Sequence, residues 1–298
     1  MDEIEKKPEL WNKDTEVLFF QEAKTFATPE QLFYTTDDGR HLAYWPKGYN
    51  GKKTTLQSRN SLIGNFTEKW TTDLLQQAVE DKGLYAIQGA ICDEIGLSNK
   101  SPADAIISTE KGIEQTPENI QLIVEVKMSI VWNWELIINE SSEKLVCIGD
   151  YRSHQGNPGL LRSDSMLKAI GKSINIRVSS FKASSIPIII MGNTPITDSY
   201  YSKVDHLKRA GIVQGFWSVN SCPLDNDVKC ITETDYKGFE TLTSFDNLKK
   251  SLDSLLKQEL NFFSGMKTKT ELGKFIGISN KEKTYERKAE VFLELIRR

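Results

Sequence analysis

Apolar, β-branched runs alternate with amphipathic stretches over most of the chain, and turn residues separate the two. Runs bounded by such turns predict strands, here at residues 84–92, 102–108, 122–132, 186–191 and 212–219. Apolar residues at helical spacing predict helices over residues 64–83, over residues 160–176 and just before Gly211. The order helix, three strands, helix, strand, helix, strand predicts an α/β fold with a central mixed sheet flanked by helices.

Two of the predicted helices carry more detailed signals. In the first, Asn65 and Glu68 have the N-cap and N3 spacing of a capping box, and Gly83 is well placed to end the helix. In the second, the apolar positions that recur at helical spacing are Leu160, Leu167, Ile170 and Ile174.

The flanking regions predict further elements. Residues 15–27 predict one or two short helices before the turn DDGR, and residues 133–150 predict a strand extension and hairpin. Beyond Asp225 we expect a short strand at 228–231 and two amphipathic helices, near 244–262 and 268–297. The predicted organisation is an N-terminal region (1–63), a catalytic core (64–225) and a mainly helical C-terminal region (226–298).

Composition narrows the class of protein. The 298 residues, 39% of them apolar, can bury a sizeable core, and a net charge of -3 excludes a globally basic protein. The cysteines are scattered, without the paired spacing of a structural zinc site, and we expect them reduced and mostly buried. No signal peptide or membrane span is indicated, so the protein is expected to be soluble and cytoplasmic. No phosphate loop of the G-x-x-x-x-G-K-[ST] type occurs, so no nucleotide cofactor is expected.

The strand at residues 122–132 carries the candidate chemistry. Period-two alternation places Glu125 and Lys127 on one face. Asp104 begins the preceding strand, with 20 residues between it and Glu125, and a hairpin would bring the two carboxylates together. Such oxygen ligands suit Mg²⁺, with Mn²⁺ as a substitute, and the carbonyl of Val126 is a further candidate ligand. Two carboxylates and a lysine can supply what phosphodiester hydrolysis needs.

This pattern resembles the PD-(D/E)XK nuclease superfamily. Pro102 and Asp104 match its "PD" element with one extra residue, Ala103, between them, and residues 125–127 match its "(D/E)XK" element. The resemblance covers residues 64–219, including the element order of a restriction-endonuclease-like core. It implies that Asp104 and Glu125 hold the metal and that Lys127 orients or deprotonates the attacking water. It also implies a catalytic role for Glu68, toward a water on the metal or a second ion.

Each assignment has a structural alternative. The pattern D-x(n)-E-x-K is permissive, and Glu125 and Lys127 fit an exposed face of a half-solvated strand as well. The capping box alone accounts for Glu68. Unpaired charges inside apolar strands would, however, be costly, which favours the nuclease interpretation.

Two segments are candidate DNA contacts. Residues 40–60 contain five basic residues and no acidic one, and the DNA-binding candidates there are Lys47, Lys52, Lys53, Gln57, Arg59 and Asn60. The segment after the candidate site adds Arg152, His154, Arg162, Lys168 and Lys172. For the first segment, a solvated peripheral loop is the structural alternative.

Within the superfamily, type II restriction endonucleases are the most similar class in size and in the lack of a motor or zinc module. That implies cleavage of double-stranded DNA at a specific sequence by a homodimer, because two-fold symmetry places one site on each strand. The alternatives are a repair, recombination or transposon nuclease with the same trio, and a non-catalytic DNA-binding regulator. For the regulator, TELGKFIGIS near the C-terminus resembles the first helix and turn of a helix-turn-helix, although a helical pair on the core or at a dimer interface fits equally.

Overall fold

The computed structural model describes residues 8–140, 142–226, 229–263 and 267–297. It divides into one compact unit that ends at Gln258 and a second that begins at Glu259. The helices are α1 (Lys13–Ala23), α2 (Pro29–Leu32), α3 (Gln57–Val79), α4 (Ser163–Ser179), α5 (Tyr201–Arg209), α6 (Phe245–Leu256), α7 (Lys269–Ser279) and α8 (Tyr285–Arg297). The strands are β1 (Tyr34–Thr35), β2 (His41–Leu42), β3 (Tyr85–Gln88), β4 (Ala105–Ser108), β5 (Ile120–Lys127), β6 (Asn133–Asn139), β7 (Ser142–Gly149), β8 (Ile188–Gly192), β9 (Gly215–Ser218) and β10 (Phe239–Thr241).

The central sheet has six strands in the order β10-β9-β8-β5-β4-β3. β3, β4 and β5 are antiparallel neighbours, whereas β5, β8, β9 and β10 run parallel. The sheet is therefore mixed, and helices flank it, which confirms the predicted fold class. β5 lies in the interior of this sheet and is almost entirely buried, so charged side chains on it need partners.

Helix α4 packs beside β5 through small residues. Its buried positions include Met166, Ala169, Ser173 and Ile176, and the short side chains at 169 and 173 allow a close approach to the sheet. The sequence predicted the helix correctly, but Leu167 and Ile174 are 62% and 41% exposed. Of the four apolar positions, Leu160 and Ile170 face the core whereas Leu167 and Ile174 do not, because the small residues Ala169 and Ser173 take part of the inward face.

Helix α3 begins at Gln57, earlier than predicted. Asn65 and Glu68 consequently lie inside the helix, and the capping-box interpretation of Glu68 is wrong. After α3, a 3₁₀ turn leads to Gly83, whose φ of 66° terminates the helical segment as expected.

A second, four-stranded antiparallel sheet has the order β1-β2-β6-β7. Helix α1 is tied to the chain just before β6 by the buried carboxylate of Glu16. Glu16 accepts hydrogen bonds from the main-chain N–H groups of Val131 (2.5 Å) and Trp132 (3.3 Å) and from the indole groups of Trp11 (3.1 Å) and Trp134 (2.7 Å). Four N–H donors satisfy the two oxygens of this buried carboxyl group and hold the segment that follows β5.

The C-terminal part departs from the prediction in two places. Of the strand expected at 228–231, Val228 lies outside the described residues, residues 229–231 are not a strand, and the last strand is β10. The helix expected over 268–297 is two helices, α7 and α8, in the second compact unit. None of the described helices combines the length and apolar content of a membrane span.

Candidate active site

Asp104, Glu125 and Lys127 converge where β4 meets β5. Ala105 pairs with Val124 across these strands, which places Asp104, one residue before β4, opposite Glu125. The Nζ atom of Lys127 lies 2.5 Å from Oε1 of Glu125 and 3.4 Å from Oδ2 of Asp104. The three residues that the sequence pattern singled out therefore share one small volume.

The main chain of Val126 contributes to the same cluster. Its N–H donates to Oδ2 of Asp104 at 2.8 Å, just beyond the last β4–β5 pair, and so orients that carboxylate. Its carbonyl accepts a hydrogen bond from Lys127 Nζ at 2.9 Å. Three oxygens, from Asp104, Glu125 and Val126, thus surround one ammonium group.

This oxygen set fits a divalent cation of the Mg²⁺ type. All three donors are hard oxygens, two of them from carboxyl groups, and they already surround a positive charge. Within the described parts of the chain, no three His, Cys, Asp or Glu side chains form a metal-ligand group. The Val126 carbonyl is the further oxygen that lies beside the two carboxylates.

Lys172, on α4, completes the cluster from the other side. Its Nζ atom lies 2.8 Å from Oδ1 of Asp104 and 2.7 Å from Oε2 of Glu125. Sequence reasoning placed Lys172 among the DNA contacts and missed this position. The available signal was the spacing of Ala169, Ser173 and Ile176, which turns residue 172 toward the sheet.

Burial and neighbouring charges shift the pKa values of Asp104, Glu125 and Lys172. Burial and then the charge of Asp104 raise the pKa of Glu125 above its ordinary value. Burial also opposes ionisation of Asp104, but Lys127 and Lys172 outweigh it and lower its pKa. Burial opposes the charged form of Lys172, yet the two carboxylates raise its pKa. Asp104 is therefore the more readily ionised carboxyl of a cluster whose two acidic and two basic groups balance.

Glu68 faces this cluster from α3. It is half-buried, and it accepts a hydrogen bond from Gln88, the last residue of β3, at 3.3 Å. Burial and the nearby charge of Asp104 raise the pKa of Glu68. The structure thus brings the fourth candidate to the site, with Gln88 as a partner that sequence reasoning did not identify.

A cleft of about 700 Å³ opens onto Lys127 and Glu68. Four parts of the chain line it: one face of α3, the end of β5 with the residues after it, the segment that leads into α4, and residues between Tyr34 and Leu56. Asn60 and Arg162 are exposed and belong to its lining.

The segment that leads into α4 is held close to β5. Gly159 has a φ of 54°, and a Cβ there would lie 2.9 Å from Thr194 Oγ1 and 3.2 Å from the carbonyl oxygen of Lys127, so only glycine fits. The side chain of Asn193 brackets Ser129, donating to its carbonyl at 2.6 Å and accepting from its N–H at 3.2 Å. The cleft beside the charged cluster is therefore preorganised by buried contacts.

Most of the candidate DNA contacts lie on the surface, namely Lys47, Lys52, Lys53, Gln57, Asn60, Arg152, Arg162 and Lys168. Lys53 donates to Gln155 at 2.6 Å, and Gln155 in turn donates to the carbonyls of Pro46 and Tyr49. Arg152 and Lys168 pair with Asp150 and Asp164. Gln57 and Asn60 lie in the first turn of α3 rather than in a loop.

Arg59 and His154 require a correction, because both are buried. The Arg59 guanidinium donates to the carbonyls of Leu32 and Ala43, and it stacks between the rings of Tyr34 and Tyr44, at 4.9 and 5.4 Å. This arginine is buried, at 3% exposure, in the wall of the cleft, and its hydrogen bonds tie α3 to the chain at Leu32 and Ala43.

His154 also stacks on Tyr44, with ring centroids 4.0 Å apart. Its Nδ1 accepts from the N–H of Gly156, so Nε2 carries the proton and donates to the carbonyl of Val131 at 3.2 Å. Burial lowers the pKa of His154 to about 4, so the ring is neutral at pH 7 and is no phosphate contact.

Comparisons of the chain with protein-family models, with curated proteins and with solved structures gave no match. The function of the cluster is therefore inferred from its own residues.

Proposed function

We propose that this protein is a Mg²⁺-dependent endonuclease that hydrolyses phosphodiester bonds in double-stranded DNA, and specifically a type II restriction endonuclease. The observation that carries the proposal is the arrangement of Asp104, Glu125 and Lys127. Oxygens of the two carboxylates and the carbonyl of Val126 surround one positive charge at the edge of a cleft.

Asp104, Glu125 and the carbonyl of Val126 are the groups that would hold the cation. A bound Mg²⁺ ion would supply Lewis-acid stabilisation of the charge on the scissile phosphate. The N–H of Val126 keeps the Asp104 carboxylate in a fixed orientation, so the ligand geometry does not have to form during the reaction.

Lys127 and Glu68 would fill the two remaining roles, stabilisation of the transition state and removal of a proton from water. Lys127 reaches the cleft, where its ammonium can donate to a phosphate oxygen and stabilise the negative charge of the transition state. Glu68 lies at the same cleft and its carboxylate is oriented by Gln88. Because its pKa is raised, it is a stronger base than an ordinary glutamate and suited to take a proton from the attacking water.

The cleft is too small for a whole duplex, so DNA would lie across its mouth. Arg162 and Asn60 at the cleft, with Lys47, Lys52 and Lys53 on the neighbouring loop, provide phosphate and base-edge donors. The local concentration of basic side chains matters more here than the net charge of -3. Two copies of the chain, related by a two-fold axis, would cut both strands.

Digestion of a sequenced plasmid with Mg²⁺, followed by mapping of the ends, tests this function. A discrete set of fragments with ends at one short sequence is the expected result. Cleavage of branched or nicked DNA alone would overturn the restriction assignment in favour of a repair or recombination nuclease. Binding of DNA without any Mg²⁺- or Mn²⁺-dependent cleavage would instead identify a non-catalytic regulator.

A further inference from the structure

Two lysines divide the four oxygens of Asp104 and Glu125 between them. Lys127 contacts Oδ2 of Asp104 and Oε1 of Glu125, the oxygens next to the carbonyl of Val126. Lys172 contacts the remaining pair, Oδ1 of Asp104 and Oε2 of Glu125. The closest contacts of the two ammonium groups are to different oxygens, so each lysine holds one side of the carboxylate pair.

The contact made by Lys172 is well ordered by its surroundings. Its side chain is only 19% exposed, and α4 is anchored by Arg177, which donates to the carbonyls of Ala183 and Ile186. Buried ion pairs of this kind add little net stability, because the cost of desolvating the charges offsets their attraction. The main effect of Lys172 is therefore the orientation that it imposes on the two carboxylates.

We propose that Lys172 is a positioning residue of the nuclease site. By binding the other oxygen of each carboxylate, it keeps Oδ2 of Asp104 and Oε1 of Glu125 turned toward the Val126 carbonyl, where a cation would be held in the place of Lys127 Nζ. This inference rests on the proposed function. It adds a residue that the D-x(n)-E-x-K pattern does not contain and that comes from a different element of the fold.

The position of Lys172 has two opposite consequences. Its positive charge repels a cation bound to the same carboxylates, so its removal should tighten cation binding. Its loss also frees the carboxylates to rotate, so the chemical step should slow. A purely structural lysine would weaken cation binding and activity together when it is replaced, and an irrelevant one would change neither.

The experiment compares Lys172→Met and Lys172→Arg with Lys182→Met. Lys182 is the matched control, because its ammonium also bridges two carboxylates, Glu94 and Glu118, but at the surface. Binding of Mn²⁺ alone is measured by calorimetry without DNA, DNA affinity is measured in Ca²⁺ buffer, and kcat is measured with Mg²⁺. Circular dichroism checks the fold of each variant.

For Lys172→Met we expect Mn²⁺ binding about tenfold tighter. In the same variant kcat should fall about 100-fold, with unchanged DNA affinity. Lys172→Arg keeps the charge and can bind both carboxylates, so its Mn²⁺ affinity should return to within about twofold of the wild type and its kcat to within about tenfold. The proposal would be overturned if Lys172→Met lowered both Mn²⁺ affinity and kcat, or if both values matched those of Lys182→Met.

A measurement on the wild type covers the case in which Lys172→Met does not fold. Acetylation of lysines by a water-soluble ester, read by peptide mass spectrometry, should leave Lys172 protected both with and without Mn²⁺, whereas Lys182 should react in both. Reaction of Lys172 at the rate of Lys182 once Mn²⁺ is bound would refute the positioning role. A wild-type protein that neither binds Mn²⁺ nor cuts DNA would overturn the proposed function itself, whereas a cutting enzyme with a dispensable Lys172 overturns this inference alone.

Discussion

The Nζ atom of Lys172, on α4, lies 2.8 Å from Oδ1 of Asp104, the residue before β4, although 67 residues separate the two in the sequence. This contact joins a helix to the strand pair that carries Glu125 and Lys127. The result is a charge-balanced cluster at a cleft, in which each carboxylate is bound by two lysines. A site assembled from three elements is sensitive to substitutions in any of them, and this leads to testable predictions.

Replacing Asp104 by Asn, or Lys127 by Met, should abolish cleavage. Each change removes a charge from the group that holds the cation or stabilises the transition state, and the expected loss is about 10³-fold or more in kcat. DNA binding in Ca²⁺ buffer should remain. Asp198→Asn, an exposed carboxyl in a surface turn, is the control. Substantial cleavage by both site variants would show that the cluster is not catalytic.

Replacing Glu68 by Gln should slow cleavage about 10- to 100-fold while changing the free energy of unfolding by less than about 1 kcal/mol. Glu68 lies inside α3 and caps nothing, so the fold does not depend on its charge. Steady-state kinetics and urea denaturation measure the two effects. Glu80→Gln, just after the same helix, is the matched control. A stability loss with an unchanged rate would contradict a catalytic Glu68.

Deprotonation of Glu16 should make the free energy of unfolding fall as the pH rises toward 8. Burial raises the pKa of Glu16 from 4.5 to about 8, against the lowering effect of its four N–H donors. The folded state therefore binds a proton that the unfolded state has lost, and stability decreases with pH at a slope of up to about 1.4 kcal/mol per pH unit.

Urea denaturation between about pH 6.5 and pH 8 isolates this effect. The depressed pKa of His154 makes stability rise with pH, but only at lower pH, where an unfolded histidine binds its proton. Glu16→Gln cannot titrate and should lack the slope, whatever its absolute stability. Parallel pH profiles for the two proteins would mean that Glu16 is ionised throughout this range.

Arg59→Met should destabilise the fold by about 3 kcal/mol, because it leaves the carbonyls of Leu32 and Ala43 without their donor and removes the charge between two tyrosine rings. The salt dependence of DNA binding should not change, since the guanidinium is buried. Thermal denaturation and binding titrations at several salt concentrations measure both quantities. A variant of normal stability with weakened DNA binding would restore Arg59 to the DNA surface.

Arg162→Ala should weaken DNA binding and reduce the slope of log K against log salt by about 1, as expected for one phosphate contact. Arg162 is exposed at the cleft, where its guanidinium lies 3.4 Å from Oδ2 of Asp164. Lys203→Ala, a surface residue of α5, is the control. An unchanged slope would place the DNA away from this side of the cleft.

The features that the sequence determined by itself are those that local backbone geometry sets. Period-two alternation along β5 is a property of any strand, and it was enough to place Glu125 and Lys127 side by side. The turn residues and apolar runs were enough for the order of elements and the fold class. Asp104 could be added because antiparallel neighbours in a hairpin are close in both sequence and space.

The tertiary structure alone decided how the helices meet this strand pair. The inward face of α4, the contact of Lys172, the start of α3 and the burial of Arg59 and His154 depend on packing between segments far apart in the chain. Packing of this kind is settled by the sum of many small burial and hydrogen-bonding energies, and no local pattern encodes that sum. The sequence thus determined the trio on and beside one strand, whereas the second lysine and the oriented Glu68 came from the way two helices close on the sheet.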